Sequence, residues 1–255
     1  MKEVKVNISD NVKEILEKGK VEGNCYFLPS VVLSRADYME VNKILELSGG
    51  KWNRSKKGHI FESEEKASQM LGVLDKGEVV DKKKTYQFFE TPKLVVRQML
   101  ELADIKYTDN PVKMQDVLEP SAGLGAIADE VDQSQCLFRC GELDEEKAKI
   151  LIDKNYPVFV GDFLTGNWEK FDRIIMNPPF TRGQDADHVL HAYSLLRKGG
   201  RVVSVMASGV TFNQQKKYQK VRDLIEKNGQ IIDLPTNSFK ESGTNVNCVL
   251  VVLNK

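Results

Sequence analysis

Beyond residue 84 short apolar runs alternate with amphipathic segments, and this alternation leaves few folds open. The runs are QDVLEP, QCLFRCGEL, YPVFVGDF, FDRIIMNP, GRVVSVMA, GQIIDLP and NCVLVVL. Helical patterns at 127–131, 145–154, 186–197 and 218–227 lie between most of them. Each helical crossover returns the chain to the same end of the sheet, so the strands are expected to run mainly parallel, with helices on both faces. No helical pattern separates the last two runs, which are expected to form an antiparallel hairpin. The class is α/β, with a seven-stranded, mainly parallel sheet.

Residues 1–84 read differently, as a small α+β unit. NVKEILEKGKVEG is expected to be a short helix stopped by glycines. In SRADYMEVNKILELSGG, Ser34 suits an N-cap, Tyr38, Val41, Ile44 and Leu45 share one face, and Gly49 and Gly50 end the helix. KWNRSKKGHIFE reads as two short strands around a basic turn. The charged stretch LDKGEVVDKKKTYQ reads as a linker or an exposed strand, dividing the chain into units 1–84 and 85–255.

Charge sets a limit on partners. There are 37 basic and 37 acidic side chains, so no chain-wide basic field exists and a nucleic-acid contact would need a local patch. Lys51, Arg54, Lys56 and Lys57, with Trp52 among them and no acid between, form such a patch; the turn is either a phosphate contact or a solvated hairpin. The scattered cysteines Cys25, Cys136, Cys140 and Cys248 read as reduced core thiols. His188 and His191 could make half a metal site, but no third ligand is apparent, so they read as surface or lightly packed histidines and no metal is expected. Without a signal peptide or an apolar run of about 18 residues, neither secretion nor membrane spanning is supported, and a cytoplasmic setting fits.

In an open α/β sheet, ligands bind beyond the carboxyl ends of the strands. The first strand ends in EPSAGLGAI. Gly123 and Gly125 let the backbone turn tightly, as a plain strand-to-helix turn also requires, but Glu119 suits a cationic ligand. The second strand ends in GELD, placing Glu142 about 20 residues on, where an acid holds ribose hydroxyls. The third ends in GDFL, where Asp162 could accept from an adenine amine and Phe163 could lie against the ring.

The fourth strand ends in NPPF. An exocyclic amine on a nucleobase is a weak nucleophile because its lone pair is delocalised into the ring. An amide oxygen from Asn177 and the carbonyl of Pro178 could each accept one of its hydrogens and free that lone pair. Pro178 and Pro179 stiffen the backbone, and Phe180 offers a face for stacking, worth about 1–3 kcal/mol. Asn-Pro and Pro-Pro also favour plain turns.

Taken with QFFETP and the closing GTNVNCVLVVLNK, these motifs resemble the gamma class of S-adenosylmethionine-dependent N6-adenine DNA methyltransferases, and in particular compact phage- or prophage-type members. The resemblance covers residues 85–255 and implies a Rossmann-like class I methyltransferase fold. It implies that Thr91 and Pro92 lie at the methionine end of the cofactor, with Glu119 near its amino group. Pro120, Ser121 and Gly123 would line the cofactor, Glu142 and Leu143 its ribose, and Asp162 and Phe163 its adenine. Asn177, Pro178, Pro179 and Phe180 would form the target-amine site, with Asn177 also beside the cofactor. Phe239 would stack on the other face of a flipped base, and Arg182 would touch phosphate. The product would be S-adenosylhomocysteine.

Larger members carry a recognition domain after the last strand, and this sequence stops at Lys255. Sequence reading is therefore expected from the N-terminal unit, from a recognition subunit or second copy, or hardly at all. The same NPPF chemistry also suits RNA methyltransferases and protein glutamine methyltransferases, and a catalytically silent DNA-binding protein is the remaining alternative.

Overall fold

The alternation is realised as a sheet with helices on both faces. The computed structural model describes residues 5–81, 89–106 and 108–255, in two units, Met1–Tyr86 and Gln87–Lys255. The lysine triplet, Gln87 and Phe88 lie outside the described residues.

The first unit runs β1 (Lys5–Asn7), α1 (Asp10–Glu17), β2 (Lys20–Glu22), β3 (Cys25–Phe27), α2 (Arg35–Leu47), β4 (Lys51–Asn53), β5 (Gly58–Ile60), α3 (Glu64–Lys76) and β6 (Glu78–Val80). Strands β2, β3, β5 and β4 form an antiparallel sheet in that order, and β1 pairs with β6. Val12 and Leu16, one turn apart on α1, meet Val41, Ile44 and Leu45 of α2 and Met70 and Leu74 of α3 in one core around Tyr26 and Phe61. The Ser34 hydroxyl accepts from the Asp37 backbone N–H at 3.1 Å, capping α2. Tyr38 is an exception to its expected face: it is exposed, because it lies to one side of the stripe through Val41, Ile44 and Leu45. The stretch expected to be a linker begins as the end of α3, stopped by Gly77 in the left-handed region (φ 66°), and continues as β6.

The second unit runs α4 (Lys93–Ala103), β7 (Asp116–Glu119), β8 (Leu137–Glu142), α5 (Glu145–Asp153), β9 (Val158–Val160), β10 (Phe171–Met176), α6 (Gln184–Ser194), β11 (Leu196–Ala207), α7 (Lys216–Asn228), β12 (Gly229–Asp233) and β13 (Cys248–Asn254). Its seven strands lie in the order β12-β13-β11-β10-β7-β8-β9, parallel except where β13 meets its two neighbours. Side chains alternate across the sheet. Val117, Ile175, Val203, Leu250 and Val252 face α4, while Leu118, Ile174, Met176, Val202 and Val251 face α6 and α7.

The last two strands are adjacent and antiparallel, as expected. They do not close the sheet's edge as a simple hairpin, because β13 inserts between β12 and β11. The position suits its sequence: Cys248 to Leu253 are all buried, and an unbroken apolar run fits a strand covered on both faces. The helix expected at 127–131 is a single 3-10 turn, Ala128–Glu130. Ile127, Ala128 and Val131 all face the core, and a segment this short gains little from helix propagation. Helices α3 and α4 lie outside the sequence expectations. Among the described residues, no helix is long and apolar enough to cross a membrane. All four cysteines are buried and free.

Candidate active site at the strand ends

The glycine turn after β7 is built on backbone that other residues resist. Gly123 and Gly125 take φ of 59° and 94°, the left-handed region that a Cβ disfavours. The Ala122 N–H donates to the Gly141 carbonyl at 2.9 Å, and the Lys154 ammonium donates to the Leu124 carbonyl at 2.9 Å and to Asp129 at 2.7 Å. A Cβ on Gly141 would come within 3.1 Å of the Pro120 carbonyl, so the second strand's end lies close against the turn.

Glu142 joins these two strand ends. One of its carboxylate oxygens accepts from the Gly123 N–H at 2.7 Å and the other from the Asp144 N–H at 2.8 Å. Each oxygen retains a second lone-pair direction, so the strut can still accept from a diol. Leu143 beside it is exposed, Ser121 is half-buried and Pro120 is buried.

Glu119 is almost wholly buried, and its Oε2 has no hydrogen-bond partner among the described residues. Burial pushes its carboxyl well above the usual carboxylate range, and the nearby charges of Glu142 and Asp129 push the same way, against a backbone hydrogen bond from Ala128. Such a group suits a cation that would restore its charge. Because the folded value lies above the unfolded one, the folded state holds the extra proton and stability falls as pH rises through that window. A cationic ligand favours the ionised form, so its affinity rises over the same window. Glu119→Gln is therefore expected to raise the melting temperature of the ligand-free protein at neutral pH and to weaken cofactor binding. Melting curves and calorimetry across pH check both; a pH-independent affinity in the unaltered protein would remove this assignment.

Past β9, Asp162 accepts from the Leu164 N–H at 2.9 Å, and Gly161 donates to the Glu142 carbonyl at 2.9 Å. Phe163 does not face the crevice as expected. Its ring is 3% exposed and packs against Trp168, His188 and His191 at centroid distances of 5.6, 5.4 and 4.8 Å. This corrects His188 too: it is a buried histidine, and burial lowers its pKa to about 4.

At the end of β10, the Asn177 side-chain nitrogen donates to the Phe89 carbonyl at 3.0 Å and to the Thr91 hydroxyl at 3.1 Å. A carbonyl can only accept, so this pairing fixes which way the amide faces: nitrogen toward the 89–91 segment, with Oδ1 as the remaining acceptor. Thr91 is buried, Pro92 is the N-cap of α4, and the Ser242 hydroxyl holds the Glu90 carbonyl at 2.6 Å. Pro178 is buried, Pro179 half-buried, and Phe180 half-buried against the α4-side core. Phe239, expected as a stacking ring, is 1% exposed within that same core. It lies in a run of turns after Pro235, where the Ser238 N–H donates to the Pro235 carbonyl and the Ser242 N–H to the Phe239 carbonyl, each at 3.1 Å. Phe239→Ala is expected to cost about 3–5 kcal/mol of stability in urea titration; unchanged stability would mean the ring is not a core element.

The sequence RGQDADH, just past NPPF, forms the end of a 3-10 turn and the start of α6. Arg182 is exposed, in the left-handed region (φ 57°), and its carbonyl accepts from Lys217, whose ammonium also pairs with Asp187 at 2.7 Å. Asp185 is a structural residue that sequence reasoning missed. Fully buried, it accepts from the Tyr218 hydroxyl at 2.8 Å and the Ala207 N–H at 3.2 Å, tying α6 to α7 and to the end of β11. In the first unit, Lys51, Arg54, Lys56 and Lys57 are all exposed, and Trp52, half-exposed, rests edge-on against His59 at 5.2 Å.

Residues 113–232 match the family model described as Methyltransferase small domain. No curated protein matches the chain. Among solved structures, it is similar to the type I restriction-modification system methyltransferase subunit from Streptococcus thermophilus, at 18% identity and a TM-score of 0.53, over 75% of this chain and 52% of that one. It is also similar to the M protein of the type I restriction enzyme EcoKI (EC 2.1.1.72), at 16% identity and a TM-score of 0.51, over 88% and 55% of the two chains. The chain spans about half the length of the subunits it matches. At these identities the likeness shows the fold, a Rossmann-like methyltransferase sheet. The family model covers 120 of the 255 residues, from just before β7 into β12.

Proposed function

We propose that the chain methylates the N6 amine of adenine in DNA, using S-adenosylmethionine. The observation that carries this reading is the fixed amide of Asn177. With its nitrogen committed to Phe89 and Thr91, its oxygen is the group left to receive an amine hydrogen. The Pro178 carbonyl, on backbone stiffened by Pro179, is the second acceptor. Together they draw the amine toward tetrahedral geometry, and Phe180 supports the base by stacking. The work is positioning and electrostatics, with no tuned general base.

The residues fit the cofactor. Glu119 carries a buried, unpaired oxygen suited to its ammonium group, Glu142 presents a carboxylate suited to its ribose, and Asp162 an acceptor for its adenine amine. When bound, S-adenosylmethionine supplies an activated methyl group and leaves as S-adenosylhomocysteine. A duplex substrate requires the target base to leave the stack, since an amine inside the duplex is out of an enzyme's reach.

The test offers labelled cofactor to duplex DNA, structured RNA and protein. Label in DNA, released by nuclease as N6-methyladenine, supports the reading; label only in RNA or protein replaces it. DNA is the proposed partner of the basic turn in the first unit. Changing Lys51, Arg54, Lys56 and Lys57 together to Ala is expected to weaken DNA binding for all sequences alike. Each lost phosphate contact flattens the log–log salt dependence by about 0.9. An unaltered slope would make the turn a solvated hairpin. Because the matched structures are subunits of type I systems, a recognition subunit, or failing that a second copy of this chain, is proposed as the source of sequence reading.

A further inference from the structure

With Phe163 and Phe239 buried, the aromatic surface near the NPPF turn lies elsewhere. Phe212 is 68% exposed. It follows β11, which runs parallel to β10 with Ser204 opposite Met176, so the end of β11 emerges beside Asn177. The loop from there to α7 is tied at both ends to the segment just past NPPF. The Ala207 N–H donates to Asp185 at 3.2 Å, and Lys217 donates to the Arg182 carbonyl at 2.7 Å. Between these anchors the loop is ordered from within. Val210 is fully buried, its carbonyl accepts from Arg222 at 2.7 Å, and the Phe212 N–H donates to the Gly209 carbonyl at 3.1 Å. A rigid loop that buries one apolar side chain and holds the next ring in water is built to present that ring. The exposed cations Arg182 and Lys216 sit on the two segments that these anchors join.

Resting on the proposed DNA reading, we infer that Phe212 stacks on a nucleobase next to the extruded one, replacing part of the stacking that extrusion removes. It is a positioning residue, distinct from the target-amine pocket of Asn177 and Phe180.

The test compares Phe212→Ala and Phe212→Trp with the unaltered protein, on duplex DNA and on the same duplex with the target adenine opposite an abasic site, which lowers the cost of extrusion. The expected result is a loss of about tenfold or more in kcat/KM on the paired duplex for Phe212→Ala, with a smaller loss on the abasic duplex. Phe212→Trp restores activity, and cofactor affinity and melting temperature are unchanged. Equal kcat/KM for Phe212→Ala and the unaltered protein, equal loss on both duplexes, or a loss that Trp does not restore would each overturn the inference while leaving the DNA reading standing. If the unaltered protein methylates no DNA at all, both fall.

Discussion

Asn177→Ala is expected to abolish methyl transfer while leaving cofactor affinity nearly intact. Removing one preorganised polar contact at a centre of developing charge costs about 10²–10³ in rate. Here the loss also frees the Phe89 carbonyl and Thr91 hydroxyl, which the amide nitrogen now holds at 3.0 and 3.1 Å. Asn177→Asp sharpens the test. Its carboxylate keeps an acceptor in place but cannot donate to the Phe89 carbonyl, so the group is no longer held in one orientation. Single-turnover rates for both variants, measured beside calorimetric cofactor titrations, decide the matter. Near-normal turnover in Asn177→Ala would show that the amine is activated by another group, whereas near-normal turnover in Asn177→Asp alone would show that an acceptor suffices without the fixed orientation.

Glu142→Ala is expected to produce the largest fall in cofactor affinity. A charge-assisted hydrogen bond to the ligand is worth about 1.5–3 kcal/mol, or roughly 10- to 150-fold. The structure adds a second loss, because the same carboxylate holds the Gly123 and Asp144 N–H groups at 2.7 and 2.8 Å. Leaving those buried donors unpaired releases the glycine turn as well, so the melting temperature should fall together with affinity. Asp162→Ala is the natural comparison, since the hydrogen bond described for its carboxylate is to its own loop, at Leu164. It is expected to lose affinity with little change in stability. Equal behaviour of the two variants would deny Glu142 its bracing role.

The sheet's existence and its strands were legible because period-two and unbroken apolar runs are local signals. The place of β13 was not, since pairing Arg201 with Asn254 and Ala207 with Cys248 depends on residues far apart in the chain. The same distinction runs through the site. The acids at the ends of β7, β8 and β9 stand out because a charge after an apolar run is locally odd. The grip of Thr91 and Phe89 on Asn177 spans more than 80 residues and leaves no local trace. Aromatics beside motifs misled for a related reason. At the end of a strand the alternation stops, so nothing in GDFL or in NSFK tells a ring facing a crevice from one facing the core, and Phe163 and Phe239 both turned inward. Asp185 hid among acids that would suit any helix N-terminus.

The insertion of β13 also constrains the order in which the molecule can be made. A ribosome delivers β11 and β12 before β13, so β11 has only β10 beside it and β12 has no partner until Cys248–Asn254 emerges. Until then β11 shows an open backbone edge, with Val203 and Val205 on one face and Val202 on the other, the kind of surface on which nascent chains associate wrongly. Completion of this half of the sheet thus waits on β13, the strand that closes β11 and joins β12 to the rest.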